Sequence, residues 1–246
     1  MPTLRNWLAS TALGLCVLFA CRPSRAQDLG IPFIRNFTPK EYGGEAQNWA
    51  VAQGPRGVIY IANNQGVLAY DGARWSLIKT PNRTTVRSLA ASPDGRIFVG
   101  AVGEVGCLAP DATGRMAYLS LVDRLPEEAR AFTDVWTTRA TSKGILFQSR
   151  EELLLYDGQR FQTWKAGTTF HVAFTVGDRI FVRQREVGLL ELREGRLQLV
   201  PGGDKFAKES VFAMLPMKDG ILVGSRNLGL WRLTASALEP FPSEAD

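Results

Sequence analysis

Histidine and cysteine are scarce in this sequence of 246 residues, which contains one histidine and three cysteines. So few nitrogen and sulfur ligands exclude a histidine-based metal cluster, and we expect neither a metal nor another cofactor. Cys16 and Cys21 lie close to the N-terminus, which leaves Cys107 without a partner for an internal disulfide in the rest of the chain. We expect Cys107 to be a small buried apolar residue on a strand.

Long apolar runs are also missing, apart from Leu8 to Cys21, which follows Arg5. This run is too short to span a bilayer comfortably. Ser24-Arg25-Ala26 resembles a signal-peptide cleavage site, so we expect residues 1–26 to form a secretory signal peptide that is removed on export. The alternative is a lipoprotein cleavage site with a lipid on Cys21, although Phe19 is bulky where a small residue is usual.

Excess charge is absent once the leader is removed. The leader contains three of the 29 basic residues and no acid, so the mature chain has 26 basic residues against 24 acidic ones. No basic stretch is interleaved with aromatic residues, and this excludes nucleic acid as an expected partner. We expect membrane contact only through an anchor that follows residue 246 or, less favoured, through a lipid on Cys21.

The sequence does contain a repeated unit of short β-branched and aromatic runs, which is clearest from Gly57 to Ile78. Asn63-Asn64-Gln65-Gly66 and Asp71-Gly72 divide this stretch into three apolar runs, and Trp49–Ala52 precedes it as a fourth. Asp-Gly between two such runs predicts a type I′ hairpin, which needs positive φ at both central residues. The unit is therefore predicted to be a four-stranded antiparallel meander.

Copies of this unit recur along the chain. Tyr70-Asp71-Gly72-Ala73-Arg74-Trp75 returns as Tyr156-Asp157-Gly158-Gln159-Arg160-Phe161. The copies cover 47–78, 86–121, 133–164, 170–200 and 210–241. Five four-stranded repeats predict an all-β fold, a β-propeller with four-stranded antiparallel blades. A sandwich or an open meander is the alternative.

Residues 27–46 form a leading segment before the first repeat. The stretch Phe33 to Phe37 alternates like a strand, and we expect it to complete the last blade and close the ring. Propellers commonly close with about six to eight blades. Five repeats therefore favour an incomplete or open ring in a fragment of a longer protein, with a complete five-bladed ring as the alternative. Asp123 to Arg130, with Pro126 near its start, predicts one helical turn.

The loops between second and third strands are predicted to converge at one mouth of the propeller, together with the starts of the inner strands. Polar and aromatic groups gathered there would bind a small polar ligand, such as a carbohydrate stacked on tryptophan, or a protein partner. The alternative is that these loops are solvated surface and the tryptophans are core. The candidate ligand-binding residues are Trp49, Asn63, Asn64, Arg87, Glu104, Trp136, Arg150, His171, Arg185 and Arg226.

No catalytic arrangement is evident in the sequence. His171 is the only histidine, and Glu151 and Glu152 would point to opposite faces of a strand. We therefore expect a binding protein and not an enzyme. A propeller lyase or glycoside hydrolase is the less favoured alternative, and a hydrolase would need two carboxylates about 5–10 Å apart.

Two stretches resemble the exported sensor region of two-component regulators that carry propeller repeats. They are Asn36 to Trp49, which includes Tyr42-Gly43-Gly44-Glu45, and Gly57 to Gly72. In that family a three-tyrosine domain, a transmembrane helix and a histidine kinase or DNA-binding output follow the propeller. The resemblance covers nearly all of the mature chain and implies a periplasmic ligand-binding sensor in signal transduction. The chain has no kinase motif or sandwich domain, so a self-contained exported propeller that acts as a binding scaffold is the alternative.

Overall fold

The computed structural model describes residues 34–242, which fold into five four-stranded antiparallel sheets. Within each sheet the strands neighbour one another in chain order, and we call the sheets the first to fifth blades. This arrangement confirms the predicted all-β fold of propeller blades.

The first strand of each blade is its inner strand, and the bounds of all strands follow. The first blade consists of β1 Asn48–Gln53, β2 Ile59–Asn63, β3 Gly66–Tyr70 and β4 Trp75–Ile78. The second consists of β5 Val86–Ala91, β6 Ile97–Ala101, β7 Glu104–Pro110 and β8 Met116–Ser120. The third consists of β9 Thr137–Thr141, β10 Gly144–Gln148, β11 Glu152–Tyr156 and β12 Phe161–Lys165. The fourth consists of β13 Phe170–Val176, β14 Arg179–Gln184, β15 Gly188–Arg193 and β16 Arg196–Leu199. The fifth consists of β17 Val211–Met217, β18 Gly220–Ser225, β19 Leu230–Leu233 and β20 Leu238–Pro240.

The hydrophobic core lies between the blades, because successive residues of a strand point to opposite faces of its sheet. In β6, Ile97 and Val99 pack in a cluster with residues of the first blade, whereas Phe98 packs in the cluster with Phe147 of the third. The other interfaces repeat this alternation, with Leu146 of the third blade packed against the fourth. Each of the three middle blades therefore has both faces buried.

The two end blades bury one face each in the described part of the chain. The inner strands pack in succession from β1 to β17, and no comparable packing joins β17 to β1 within residues 34–242. Leu215 on β17 is 55% exposed, and its cross-strand neighbour Leu222 is half-buried. The five blades thus form an open arc.

The Asp-Gly hairpins differ from the predicted two-residue type I′ turn. Tyr70 pairs with Trp75, so four residues form the loop, and of Asp71 and Gly72 only the glycine has positive φ, at 98°. The side chain of Asp71 makes the turn, because its Oδ1 accepts the backbone N–H of Ala73 at 2.8 Å and of Arg74 at 2.7 Å.

The second copy of this hairpin has the same bonds. Oδ1 of Asp157 accepts the N–H groups of Gln159 and Arg160, both at 2.8 Å. In each copy the tyrosine hydroxyl before the aspartate donates to the glycine carbonyl, at 2.8 Å for Tyr70 and 2.6 Å for Tyr156. The backbone bonds lower the pKa of both aspartates. The predicted type I′ turn was wrong, because the aspartate does not have positive φ and its Oδ1 instead bonds the backbone of a four-residue loop.

The leading segment does not contain the predicted ring-closing strand in its described part. Residues 34–37 have no regular secondary structure, and Phe33 lies outside the described residues, as does the signal peptide predicted for 1–26. Helix α1, Pro39–Tyr42, follows, and Thr38 donates its N–H to Oε2 of Glu41 at 2.7 Å to cap it. The ring of Phe37 packs on Trp75 of the first blade, with centroids 5.1 Å apart.

Two further predictions concern the stretch from Asp123 to Arg130 and the residue Cys107. The helical turn predicted from Asp123 to Arg130 is present as two short 3-10 turns, Val122–Arg124 and Glu127–Ala129. Cys107 is buried on β7 as predicted, and burial raises the pKa of its thiol. Among residues 34–242, no helix has the length and apolarity needed to cross a membrane.

Candidate functional site

The inner strands begin at the same end of the arc at which the second strands finish. The antiparallel registers show this, since Asn48 at the start of β1 pairs with Asn63 at the end of β2, and Val211 pairs with Ser225 in the fifth blade. Loops from one blade also bond to the next, as when Phe170 donates its N–H to the carbonyl of Arg150 at 2.8 Å. We call this end, formed by the inner-strand starts and the second-to-third loops, the mouth.

The first three blades bring four side chains together at the mouth, which we call the tryptophan cluster: Trp49, Arg87, Asp134 and Trp136. The guanidinium carbon of Arg87 lies 4.0 Å from the ring centroid of Trp49 and 4.8 Å from that of Trp136. The two indole rings meet edge to face, with centroids 5.9 Å apart. Nε of Arg87 donates to Oδ1 of Asp134 at 2.6 Å.

The tryptophan cluster presents aromatic surface that is already held in position. Trp49 is 41% exposed and Trp136 is 38% exposed, which is unusual for such large apolar side chains. Nε1 of Trp49 donates to Oδ1 of Asn64 at 2.8 Å, and this bond fixes the ring. Asp134 neutralises Arg87 within the protein. The cluster can therefore stack against an apolar ring face without a net charge of its own.

The last three blades form a second group at the mouth, which we call the arginine cluster: Arg150, His171, Arg183, Phe212 and Arg226. The imidazole of His171 packs edge to face on Phe212, with centroids 5.1 Å apart. The guanidinium carbon of Arg226 lies 5.0 Å from the same phenyl centroid. Arg183 is buried, whereas Arg150 and Arg226 are exposed.

Burial is the main cause that lowers the pKa of His171, and the positive charge of Arg183 is the next. A backbone hydrogen bond at Val211 raises the pKa by a smaller amount, and Arg226 and Arg150 lower it further. The neighbouring charges that shift this pKa most are all positive. The imidazole is therefore neutral near pH 7, in an electropositive surrounding.

Two predicted site residues are occupied by internal bonds. Asn63 is fully buried at 0% exposure, and its amide nitrogen donates to the carbonyls of Glu45 at 2.6 Å and Gln47 at 3.0 Å. These bonds hold residues 45–47 against the first blade. Glu104 lies buried on the third strand of its blade and accepts the Ser120 hydroxyl at 2.5 Å, and burial raises the pKa of its carboxyl. Both side chains are buried and held by these internal bonds.

The remaining predicted residues lie at the mouth. Trp49, Asn64, Arg87 and Trp136 belong to one group of contacts, and Arg150, His171 and Arg226 belong to the other. Arg185 is exposed beside the arginine cluster and pairs with Glu186 at 3.4 Å.

Sequence reasoning missed two members of the two clusters, Arg183 and Phe212. Asp134 lies two residues before Trp136, among the inner-strand starts that were predicted to join the mouth. Arg183 interrupts the apolar run of β14, and a charged residue in a strand buried on both faces indicates a fixed internal partner.

A cavity lies at the opposite end of the arc, between the first two blades. Its volume is about 550 Å³, and its walls include Tyr60, Trp75, Asp94, Arg96 and Leu108. Asp94 and Arg96 pair with each other at 2.7 Å, so these two charges compensate one another. The described residues contain no group of three or more histidine, cysteine or acidic side chains that could hold a metal ion.

No protein-family model and no curated protein sequence matches the chain. Solved structures are similar in fold. The extracellular domain of BT4673 from B. thetaiotaomicron, assigned to a hybrid two-component system, gives a TM-score of 0.56 at 16% identity, over 79% of this chain and 28% of that one. The extracellular domain of BT3049 from the same organism, with the same assignment, gives 0.54 at 16% identity, over 85% of this chain and 29% of that one.

A third similar structure is an enzyme. A catalytically inactive histidine-to-alanine variant of virginiamycin B lyase from Staphylococcus aureus, solved with quinupristin, gives a TM-score of 0.55 at 10% identity, over 72% of this chain and 62% of that one. The chain spans less than a third of the length of the two extracellular domains. At these identities the likeness shows the fold, and the predicted resemblance to exported sensor propellers is confirmed at that level.

Proposed function

We propose that this chain is the exported ligand-binding sensor propeller of a two-component regulator, and that it belongs to a longer protein with the output domains. The observation that carries the proposal is the tryptophan cluster, in which two indole rings stay exposed although they are held in place. Asn64 holds Trp49 through the bond to its indole N–H, and Arg87 contacts the faces of both rings.

A preformed aromatic surface suits a ligand with flat apolar faces and polar edges, and a sugar ring has this character. Stacking on a fixed indole ring costs little conformational entropy, because the ring is already ordered before the ligand arrives. Around the aromatic surface, the polar loops of the mouth supply hydrogen-bonding groups. We infer that the ligand is a carbohydrate or another small polar molecule, held by the mouth without chemical change.

The similar structures support this proposal in two respects. Two of them are extracellular domains of proteins assigned to hybrid two-component systems, and both have lengths of which this chain spans less than a third. A place outside the cytoplasm also agrees with the signal peptide that the first 26 residues predict.

The open arc supports the proposal that the chain is part of a longer protein. Val51 on β1 is 69% exposed and Leu215 on β17 is 55% exposed, and both lie on end blades. Packing of further blades would remove such apolar surface from water. Signalling would then proceed by contact between the ligand-loaded propeller and a following domain.

A fluorescence titration of the purified protein with a panel of neutral and acidic oligosaccharides tests the proposal. A bound sugar is expected to change the emission of the exposed tryptophans. Trp49→Ala and Trp136→Ala should each weaken binding by about tenfold or more, since each removes a stacking surface. Trp164→Phe is the matched control, because Trp164 lies on the outer strand β12. Equal binding by all three variants, or no binding of any oligosaccharide, would contradict the proposal.

A lyase is the second candidate function, and one observation favours it. His171 lies at the mouth with a lowered pKa, and the similar lyase structure is an inactive variant that lacks a histidine. Loss of quinupristin on incubation with the protein, followed by mass spectrometry and abolished in His171→Ala, would establish this function in place of the sensor role.

A further inference from the structure

We propose that the arginine cluster binds an oxyanion, either a carboxylate or a sulfate, so that the ligand of the mouth is acidic. This inference rests on the proposed function, because it assigns the chemical class of the ligand. The positive charges of Arg150, Arg183 and Arg226 all act on His171, and Phe212 forms the apolar wall beside it.

Arg183 supplies the fixed charge of this site. The residue is 6% exposed, and its guanidinium donates to the carbonyl of Phe206 at 2.9 Å and to that of Ala207 at 2.5 Å. Both acceptors are neutral, and no ion pair within residues 34–242 involves Arg183. A guanidinium carries five N–H donors, so these bonds leave donors for another acceptor.

His171 supplies an unused polar atom beside this charge. Its Nδ1 is buried and has no hydrogen-bond partner among the described residues. A buried polar atom without a partner costs free energy, and such atoms are rare in folded proteins. An anion bound at this position would accept a hydrogen bond from the protonated imidazole and would stabilise its charged form.

Arg150 and Arg226 place two further charges at the rim of the site. The carbonyl of Arg150 accepts the N–H of Phe170, the residue before His171, at 2.8 Å. Arg226 donates its backbone N–H to the carbonyl of Ser210 at 3.3 Å, and its guanidinium lies over the ring of Phe212. Neither guanidinium forms an ion pair in the described part of the chain.

The acids near the cluster have other partners. Glu186 pairs with Arg185 at 3.4 Å, Glu209 accepts the side-chain amide of Asn227 at 2.7 Å, and Glu151 accepts the hydroxyl of Thr133 at 3.1 Å. These acids keep their charges, and three carboxylates against four arginines leave an excess of one positive charge, the four being Arg150, Arg183, Arg185 and Arg226.

Burial and the neighbouring charges both shift the pKa of Arg183. Burial is the largest influence on its pKa and lowers it, as does Arg185, whereas Glu186 and Glu209 raise it by smaller amounts. A guanidinium nevertheless stays charged at any physiological pH. Guanidinium groups match the geometry of carboxylates and sulfates, and this match identifies the ligand group as an oxyanion.

The single histidine of the chain allows a direct test by proton NMR, because a protein without a histidine tag gives the signals of one imidazole ring, of which the Cε1 proton is followed. The probes are galacturonate, galactose 6-sulfate and neutral galactose, at constant ionic strength so that screening is equal. We expect an acidic probe to move the His171 signal and to raise its pKa, and galactose to leave both unchanged. A response to one acidic probe identifies carboxylate or sulfate as the group that binds.

Variants separate the site from general charge effects. Arg150→Gln and Arg226→Gln should each weaken the binding of the acidic probe by about tenfold, which is the effect of losing a hydrogen bond to a charged group. Arg160→Gln is the control, because Arg160 is exposed on the hairpin at the opposite end of the third blade. Equal weakening in all three variants would overturn the inference.

The outcome also separates this inference from the proposed function. If neutral oligosaccharides bind through Trp49 and Trp136 while neither acidic probe moves the His171 signal, the acidic ligand is excluded and the sensor proposal stands. If acidic probes bind at the arginine cluster while Trp49→Ala and Trp136→Ala have no effect, the oxyanion site stands and the stacking site fails.

Discussion

The two sides of the mouth both contain arginines, but they compensate the charge differently. Arg87 pairs with Asp134 at 2.6 Å and contacts two indole rings, so its charge is satisfied within the protein. Arg183 is more deeply buried, and its hydrogen bonds go to two neutral backbone carbonyls. The partner of an arginine, and not its place on the blade, therefore decides whether its charge is compensated within the protein.

The largest expected effect comes from removing the buried arginine. Arg183→Ala should lower the free energy of unfolding by about 3 kcal/mol, because it removes the guanidinium bonds to two carbonyls and leaves a cavity in the fourth blade. Urea denaturation of the two proteins measures the difference. A change below about 0.5 kcal/mol would show that burying the charge of Arg183 costs as much free energy as its bonds contribute. The contrast between Arg183 and Arg87 would then not hold.

A smaller effect is expected on the tryptophan side. Arg87→Ala should cost about 1–2 kcal/mol, because the ion pair is partly exposed and the cation–π contacts are each modest. Arg139→Ala is the control, since Arg139 is exposed on the neighbouring inner strand β9. Urea denaturation should show a free energy of unfolding for Arg139→Ala that is nearly the same as that of the unsubstituted protein. An equal cost for both variants would mean that the tryptophan cluster does not depend on its arginine.

The smallest expected effect is the pH dependence of stability that His171 causes in the arginine cluster. Burial and Arg183 lower the pKa of His171 in the folded state, so the unfolded state binds the proton more tightly. The contribution of His171 to stability is therefore complete above its ordinary value of 6.5 and is lost as the pH falls below it. His171→Gln should remove this part of the pH dependence in denaturation curves between about pH 7 and 5. An unchanged pH profile would show that the pKa of His171 is not lowered in the folded protein.

Much of the fold was predictable, because the repeated strands carry their alternation in the sequence. Ile97, Phe98 and Val99 are all apolar, as expected of a strand buried on both faces. The convergence of Trp49 and Trp136 also follows from their place at the starts of inner strands.

The parts that were not predictable depend on particular side-chain bonds. Asn63 is polar and lies beside a turn, which is typical of an exposed residue. It is nevertheless buried, and its amide donates to the carbonyls of Glu45 and Gln47. The prediction of a type I′ turn at Asp-Gly was wrong for a similar reason, since the Oδ1 bonds of Asp71 stabilise a different backbone conformation. Periodicity in a sequence describes which face is apolar, but it does not describe which polar atoms meet.

The placement of the core between blades has a consequence for how the arc comes apart. Each interface belongs to two blades, so the third blade shares apolar contacts on both sides, whereas the first and fifth share them on one side in the described chain. Such an assembly behaves as a row of coupled units with nearest-neighbour terms. Among the five described blades, fraying therefore starts at the first and the fifth. The arginine cluster includes residues of the fifth blade, so it lies close to a fraying end. Trp136 of the tryptophan cluster lies at the third blade, in the middle of the row.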